Sequence, residues 1–292
     1  MTTCPQCRAP ARKHLDARDE NRHITAQVFT FWQCSSCGLI FLHPVPENLD
    51  VYYPESYYVL PEDIDEYIHQ IAFQQYKVDL VQRYTDGGTL LEIGPGPGDF
   101  ALLAKRAGYD VQVIEMDERC CEFLREKVGV QAVHDADTVR ALQALGKFDV
   151  IALWHVIEHL PDPWSVLDAL AEHAKPGAIL ILAAPNPHAL QFRLFGGKWT
   201  HLDAPRHLEL ISPGLLTQRL ERSGWNPRLL TTTDPGSLGW NIFGWTYSLR
   251  NCIGQRRGLS RIGSAISRLV APLERRGLNG CTFTAIYQRS SS

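Results

Sequence analysis

The stretch Thr89–Phe100, TLLEIGPGPGDF, decides the fold. Leu90, Leu91 and Ile93 form the short apolar run of a strand covered on both faces, and the chain then turns through Gly94, Gly96 and Gly98 directly into a helix. Glycines remove side chains where a backbone must approach a ligand closely. The spacing is G-x-G-x-G rather than the G-x-G-x-x-G of dinucleotide sites, and Asp99 places an anion near the helix N-terminus, where a pyrophosphate would otherwise sit. A phosphate ligand is therefore disfavoured. An amphiphilic cation such as S-adenosylmethionine suits the loop better, with Glu92 facing its ammonium or sulfonium side. Tyr109 to Ile114 reads as the next strand, and Glu115 stands at its carboxyl end, where wound α/β sheets place the carboxylate that takes ribose hydroxyls.

These residues resemble the class I S-adenosylmethionine-dependent methyltransferases, specifically the small-molecule branch of ubiquinone-type O-methyltransferases and antibiotic-sugar methyltransferases. The likeness runs from about Val78 to the C-terminus. It implies that Glu92, Gly94, Gly96 and Gly98 hold the methionine part of the cofactor, that Glu115 with Met116 binds the ribose, and that Asp135 or Ala136 lies beside the adenine. It also implies a doubly wound, seven-stranded Rossmann-like α/β sheet whose last strand inserts antiparallel.

The chain has 292 residues and a net charge of -3, enough for one large α/β domain plus a small appendage, and too acidic for a broad phosphate-binding surface. No nucleic-acid partner is expected. The start, MTTCPQC, has neither a basic n-region nor an apolar h-region, so a reducing, cytoplasmic setting is expected and the eight cysteines read as thiols or metal ligands. Cys4-Pro-Gln-Cys7 and Cys34-Ser-Ser-Cys37 are two C-x-x-C knuckles at the spacing of a four-thiolate zinc ribbon. So short a segment has too little core to order itself without such a staple. Cys120, Cys121, Cys252 and Cys281 lack a partner pattern and read as buried small apolar residues.

Three segments follow from this: a zinc ribbon over 1–45, an aromatic-rich linker and lid helix over 46–77, and the methyltransferase domain over 78–292. Strand-like runs near 89–93, 110–114, 130–133, 148–153, 178–183, 227–232 and 281–287 alternate with helical patterns. Ser212 and Pro213 mark the start of one helix. In the linker, Tyr52, Tyr53, Tyr57 and Tyr58 form either a packing seam or a lid. The resemblance implies tyrosines that close over the sulfonium and substrate, with Tyr53 and Tyr57 as candidates.

In wound sheets the ligand crevice lies outside the strand carboxyl ends. The fourth catalytic strand leads into Trp154-His155-Val156-Ile157-Glu158-His159, and the resemblance places Trp154 alongside the methionine part of the cofactor. In some ubiquinone-type enzymes two carboxylates and a histidine here hold a divalent cation; His155 replaces the first carboxylate in this chain. The Asn/Asp-Pro-Pro-aromatic loop of amino-group methyltransferases is missing. The connection Gly196 to Ser212 holds Trp199, His201, Asp203, Arg206 and His207, which read as too polar for core and as substrate-side residues. His207 matches a histidine of the sugar C-methyltransferases, although Arg206 stands where they carry Glu. His207 and His155 are the candidate bases.

An insertion over 237–277 combines an aromatic run with an amphipathic helix from Leu259, and arginines lie near its apolar positions. It suits a pocket cover, a homodimer contact or a peripheral membrane contact. The reading that follows is methyl transfer from S-adenosylmethionine to a small metabolite such as a sugar, polyketide-type or lipid-linked intermediate, with a hydroxyl acceptor preferred over carbon. The alternatives are an RNA methyltransferase and a non-enzymatic zinc-ribbon binding protein with a relic catalytic domain.

Overall fold

The computed structural model describes residues 2–291. The N-terminal segment forms strands β1 (Thr2–Thr3), β2 (Pro10–Ala17), β3 (Phe29–Cys34) and β4 (Ile40–Leu42). The linker carries helices α1 (Ile64–Ile71) and α2 (Gln75–Gln82), and Asp63 caps α1 by accepting from the amides of Asp65 and Glu66. Alternation then begins with β5 (Thr89–Ile93), α3 (Asp99–Arg106), β6 (Asp110–Glu115), α4 (Glu118–Phe123), β7 (Gln131–His134) and α5 (Thr138–Leu142). It continues with β8 (Phe148–Trp154), α6 (Pro163–Glu172), β9 (Ala174–Pro185), α7 (Leu190–Phe195), β10 (Glu209–Leu210) and α8 (Pro213–Arg222). The chain closes with β11 (Trp225–Thr231), α9 (Pro235–Ile253), α10 (Leu259–Glu274) and β12 (Thr282–Arg289). Ser212 caps α8 and Pro213 opens it.

Seven strands form one sheet in the order β11-β12-β9-β8-β5-β6-β7. From β7 to β9 the neighbours are parallel, and β12 runs antiparallel to both β9 and β11. Successive residues of a strand enter opposite layers, as the two-residue period demands. Leu90, Val150 and Ile181 pack with Val81 and Phe100, whereas Leu91, Ile151 and Leu180 pack with Leu167 and Leu216. Strand β5 has β6 on one side and β8 on the other, so the winding reverses at its carboxyl end, the position where wound sheets place a ligand.

The ribbon is more closely joined to the catalytic part than an appendage over 1–45 would be. Strand β10 pairs antiparallel with β4, Glu209 opposite Phe41, and completes a five-stranded sheet β1-β2-β3-β4-β10. Phe31, Ile40 and Leu42 share a core with Trp199, Leu202 and Leu208. The polar connection after β9 therefore departs from expectation. Trp199, His201, Arg206 and His207 are buried and do not form an open lid. The ribbon supplies part of the contact: Arg206 pairs with Asp19 of the ribbon at 2.7 Å and with Asp203 of its own connection at 2.7 Å, and the Asn21 amide donates to the Thr200 carbonyl at 2.7 Å.

Two further differences are local. Cys120, Cys121 and Cys281 are buried, but Cys252 is exposed near the end of α9. The 237–277 insertion is a helical hairpin, α9 and α10, whose first helix already starts at Pro235 because Asp234 caps it through the Ser237 amide at 3.1 Å.

Glu209 on β10 gives a stability prediction. It is buried with one carboxylate oxygen unpartnered, and burial pushes it up from 4.5 to about 8. The folded state thus holds a proton that the unfolded chain has released, so stability declines as pH rises from about 4.5 to about 8, by up to about 1.4 kcal/mol per pH unit. We expect Glu209→Gln to flatten that decline in thermal melts across this range. Parallel melting curves for the two proteins would show that Glu209 ionises freely.

Candidate active site

At the end of β5, Gly94, Gly96 and Gly98 have φ of 61°, 56° and 88°, a backbone that side chains disfavour. Space reinforces conformation: a Cβ on Gly94 would sit 2.8 Å from Val156, and one on Gly96 would sit 2.8 Å from the Tyr58 ring. Glu115, at the end of β6, reaches back to this loop. Its Oε2 accepts from the Gly96 amide at 2.9 Å, and its Oε1 accepts from the amides of Met116 and Asp117 at 2.8 and 2.9 Å. Burial raises its carboxyl above the usual range in spite of these donors.

Glu92 is buried with Oε2 unpartnered, and burial pushes it up to about 8, opposed by the ammonium of Lys77. Lys77 arrives from α2 with its Nζ 4.8 Å from the centre of the Trp154 ring. Asp99 accepts from the Tyr67 hydroxyl and the Gln74 side-chain amide. Sequence reasoning missed Lys77, and it named Tyr58 only as one of four linker tyrosines. Nothing in the sequence around Lys77 marks it, and Tyr58 differs from the lid candidate Tyr57 only in which way the ring turns.

Unlike charges, an unpartnered buried carboxylate and side-chain-free backbone fit the zwitterionic end of S-adenosylmethionine. Beyond Glu115, Met116 is half exposed and Ala136 exposed. The Asp135 carboxylate is held by Arg140 at 2.5 Å, and that hydrogen bond lowers it to about 2.

Strand β8 ends at Trp154, and His155 takes a left-handed backbone with φ 58°. For an L residue with a Cβ this costs roughly 1–2 kcal/mol, and such strain concentrates at functional sites. The His155 Nδ1 lies 3.6 Å from Glu158 Oε1, its side chain is 26% exposed, and its ring meets Trp240 edge-on at 5.2 Å. Glu158 is buried, and neither of its oxygens has a close hydrogen-bond partner. Burial alone would raise it, but His155, His207 and His159 outweigh burial and hold the carboxyl below its usual range.

The tautomers of two other histidines follow from their partners. The Nδ1 of His159 is 3.0 Å from the Arg206 carbonyl, and that of His207 is 2.9 Å from the His201 carbonyl. A carbonyl only accepts, so both protons sit on Nδ1 and both Nε2 lone pairs are left over. His207 Nε2 is 4.0 Å from Glu158 Oε1, and the rings of His159 and His207 are 4.5 Å apart. Burial, then His207, lowers His159 to about 4. One ligand atom from each of Glu158, His159 and His207 lies within 4.8 Å of the others, close enough for a single cation.

Of the lid candidates, Tyr53 places its hydroxyl 2.9 Å from His159 Nδ1, and Tyr57 packs between Tyr53 and the Arg22 guanidinium, 4.1 Å above its ring. His201 bonds to the Trp240 carbonyl at 3.2 Å. Trp199 and Arg206 belong to the ribbon boundary instead.

In the ribbon, Cys4 Sγ is 3.7 Å from Cys37 Sγ, and Cys7 Sγ is 3.4 Å from Cys34 Sγ. A tetrahedron with Zn–S of about 2.3 Å has edges of about 3.8 Å, whereas a disulfide needs about 2.05 Å. The amides of Ser36 and Cys37 donate to Cys34 Sγ at 3.3 and 3.4 Å. The cluster fits a zinc ribbon.

A wound sheet with a glycine cradle and a carboxylate after the next strand defines a nucleoside-cofactor enzyme. Residues 66–230, more than half of the chain, match the profile of the methyltransferase-domain family, and the chain belongs to that family. It is 27% identical over 195 residues to a ubiquinone biosynthesis O-methyltransferase of Cereibacter sphaeroides, covering 63% of this chain and 77% of the relative. A protein of the same name from Bordetella parapertussis is 29% identical over 174 residues, 56% of this chain and 70% of its own. A SAM-dependent methyltransferase from Archaeoglobus fulgidus shares the fold, with a TM-score of 0.51 at 18% identity over 75% of this chain and 94% of the other. The chain is an S-adenosylmethionine-dependent methyltransferase, and the family match favours that reading over a non-catalytic one. Among the described residues no helix is long and apolar enough to cross a membrane.

Proposed function

We propose that this enzyme methylates a hydroxyl group of a small metabolite, with His155 taking the hydroxyl proton and Glu158 orienting the imidazole. The carrying observation is the strained, part-exposed His155 backed by a buried carboxylate beside the glycine cradle. S-adenosylmethionine supplies an electrophilic methyl group. Glu92 and Lys77 match the ammonium and carboxylate of its amino-acid end, and Glu115 takes the ribose hydroxyls. Tyr58, against Gly96, excludes water from the cradle. With its Nδ1 proton turned to Glu158, His155 leaves Nε2 as the accepting nitrogen, and the carboxylate stabilises the imidazolium that forms. His207 is a positioning residue in this scheme, because its Nδ1 is engaged and its ring faces Glu158. A hydroxyl acceptor accords with the names of the relatives. The ribbon thiolates hold one structural zinc ion, and free buried thiols suit a reducing cytoplasm.

A panel of hydroxylated sugars, phenols and polyketide-type compounds with methyl-labelled S-adenosylmethionine tests the reading. Label recovered as a methyl ether is expected, and label on carbon alone would contradict it. Glu115→Ala should weaken cofactor binding by about 1–3 kcal/mol, the loss expected for hydrogen bonds to a charged group, as read by calorimetry. Unchanged affinity would remove Glu115 from the ribose site.

The spare His207 Nε2 lone pair 4.0 Å from an unpartnered carboxylate, with a His159 nitrogen within 4.8 Å, favours a second reading, in which Glu158, His159 and His207 hold a divalent cation. Metal-binding histidines characteristically donate their other nitrogen to a carbonyl, as both do here. Elemental analysis separates the two. One zinc per chain, unaffected by His207→Ala, supports the acid–base reading, whereas a second ion lost in that variant supports the cation.

A further inference from the structure

Helix α10 turns its apolar stripe away from the protein. Ile262, Ile266, Leu269 and Leu273 fall on one side of the helix, and Leu269 is 80% exposed, Ile262 51% and Leu273 52%. The inward side is made of Leu259, Gly263, Ser267 and Glu274, all buried. Packing fixes this orientation. A Cβ on Gly263 would meet the Thr246 Cα of α9 at 2.7 Å, so the helices touch backbone to backbone there. Glu274 accepts from Trp245 Nε1 at 2.9 Å and from Gln191 Nε2 at 2.8 Å, which pins the far end.

Charge shows what the stripe can meet. Between positions 250 and 276 the sequence has seven arginines and a single acid, Glu274, which is buried, while the whole chain is net negative. Arg261 and Arg268 are exposed on one flank of the stripe. An exposed aliphatic stripe flanked by arginine is the pattern of helices that lie in a lipid interface. A second copy of this chain would set arginines against arginines, so complementarity selects an anionic surface.

We propose that the α9–α10 face docks the enzyme on an anionic bilayer, with the aliphatic stripe at the acyl boundary and the arginines on the headgroups. Trp240 of α9 stands beside His155, so the docking helix also borders the acceptor side. A membrane-presented acceptor therefore rests on the function proposed above; the docking itself does not.

Co-sedimentation of the full chain with phosphatidylcholine vesicles, with and without phosphatidylglycerol, tests it. Binding that requires the anionic lipid and weakens with salt is expected. Arg261→Gln with Arg268→Gln should weaken it about 25-fold, at about fivefold for each arginine near the surface. Leu269→Glu should abolish it even though every arginine remains. Calorimetry with S-adenosylmethionine controls each variant: unchanged affinity shows an intact fold and keeps a failure of docking distinct from a failure of the methyltransferase reading. Equal binding to neutral vesicles, or binding to neither, overturns the proposal. So does a dimer in sedimentation equilibrium that Leu269→Glu dissociates, or retention of RNA without retention of vesicles.

Discussion

His155→Ala should lower kcat about 10²- to 10⁴-fold while cofactor affinity changes little, because it removes the proposed base and leaves the glycine cradle intact. Glu158 is the control that separates a base from a packing residue. Its carboxylate is buried and faces three imidazoles, so Glu158→Gln preserves shape but removes the charge that stabilises an imidazolium. That variant should approach the His155→Ala rate. Turnover near wild type in His155→Ala would reassign the proton to His207 or to a bound cation, and the same assay on His207→Ala would then distinguish these.

Arg206→Met should destabilise the fold by about 3–5 kcal/mol, the range for breaking a buried ion pair from one side. The guanidinium is fully buried between Asp19 of the ribbon and Asp203 of the catalytic part, and its removal leaves two carboxylates facing each other without a cation. Arg206 holds the Asp203 carboxyl far below the usual carboxylate range against burial, and pairing in turn raises the guanidinium. Urea unfolding measures the loss. The variant should also lose turnover, since the Arg206 carbonyl holds His159 and β10 lies two residues beyond His207. Stability within about 1 kcal/mol of wild type would mean that the ribbon boundary is held by its apolar contacts alone.

The sheet was legible because its signals are local. The strand, glycine loop and helix around Gly94, and the carboxylate after β6, lie within one βαβ unit, where residue spacing and geometry coincide. Distance in sequence defeats this reasoning. Arg206 and Asn21 look like surface residues until Asp19 and Thr200 meet them across more than half of the chain, and β10 is too short to announce itself without β4 beside it. The site was half legible for the same reason. His155 and Glu158 share one turn after β8, but His207 joins them only through the return of the connection after β9. Among the tyrosines, composition could point to a lid, but not to Tyr58 as the ring that meets Gly96. For α10, periodicity showed an amphipathic helix but not which face turns outward, because the contacts of Gly263 and Glu274 that decide it belong to the tertiary structure.

Titration calorimetry of the purified full chain with S-adenosylmethionine tests the central claim most directly. The fold, the glycine cradle and Glu115 predict one site per chain and a large loss of affinity in Glu115→Ala. No binding by wild-type protein shown to be folded would contradict the account.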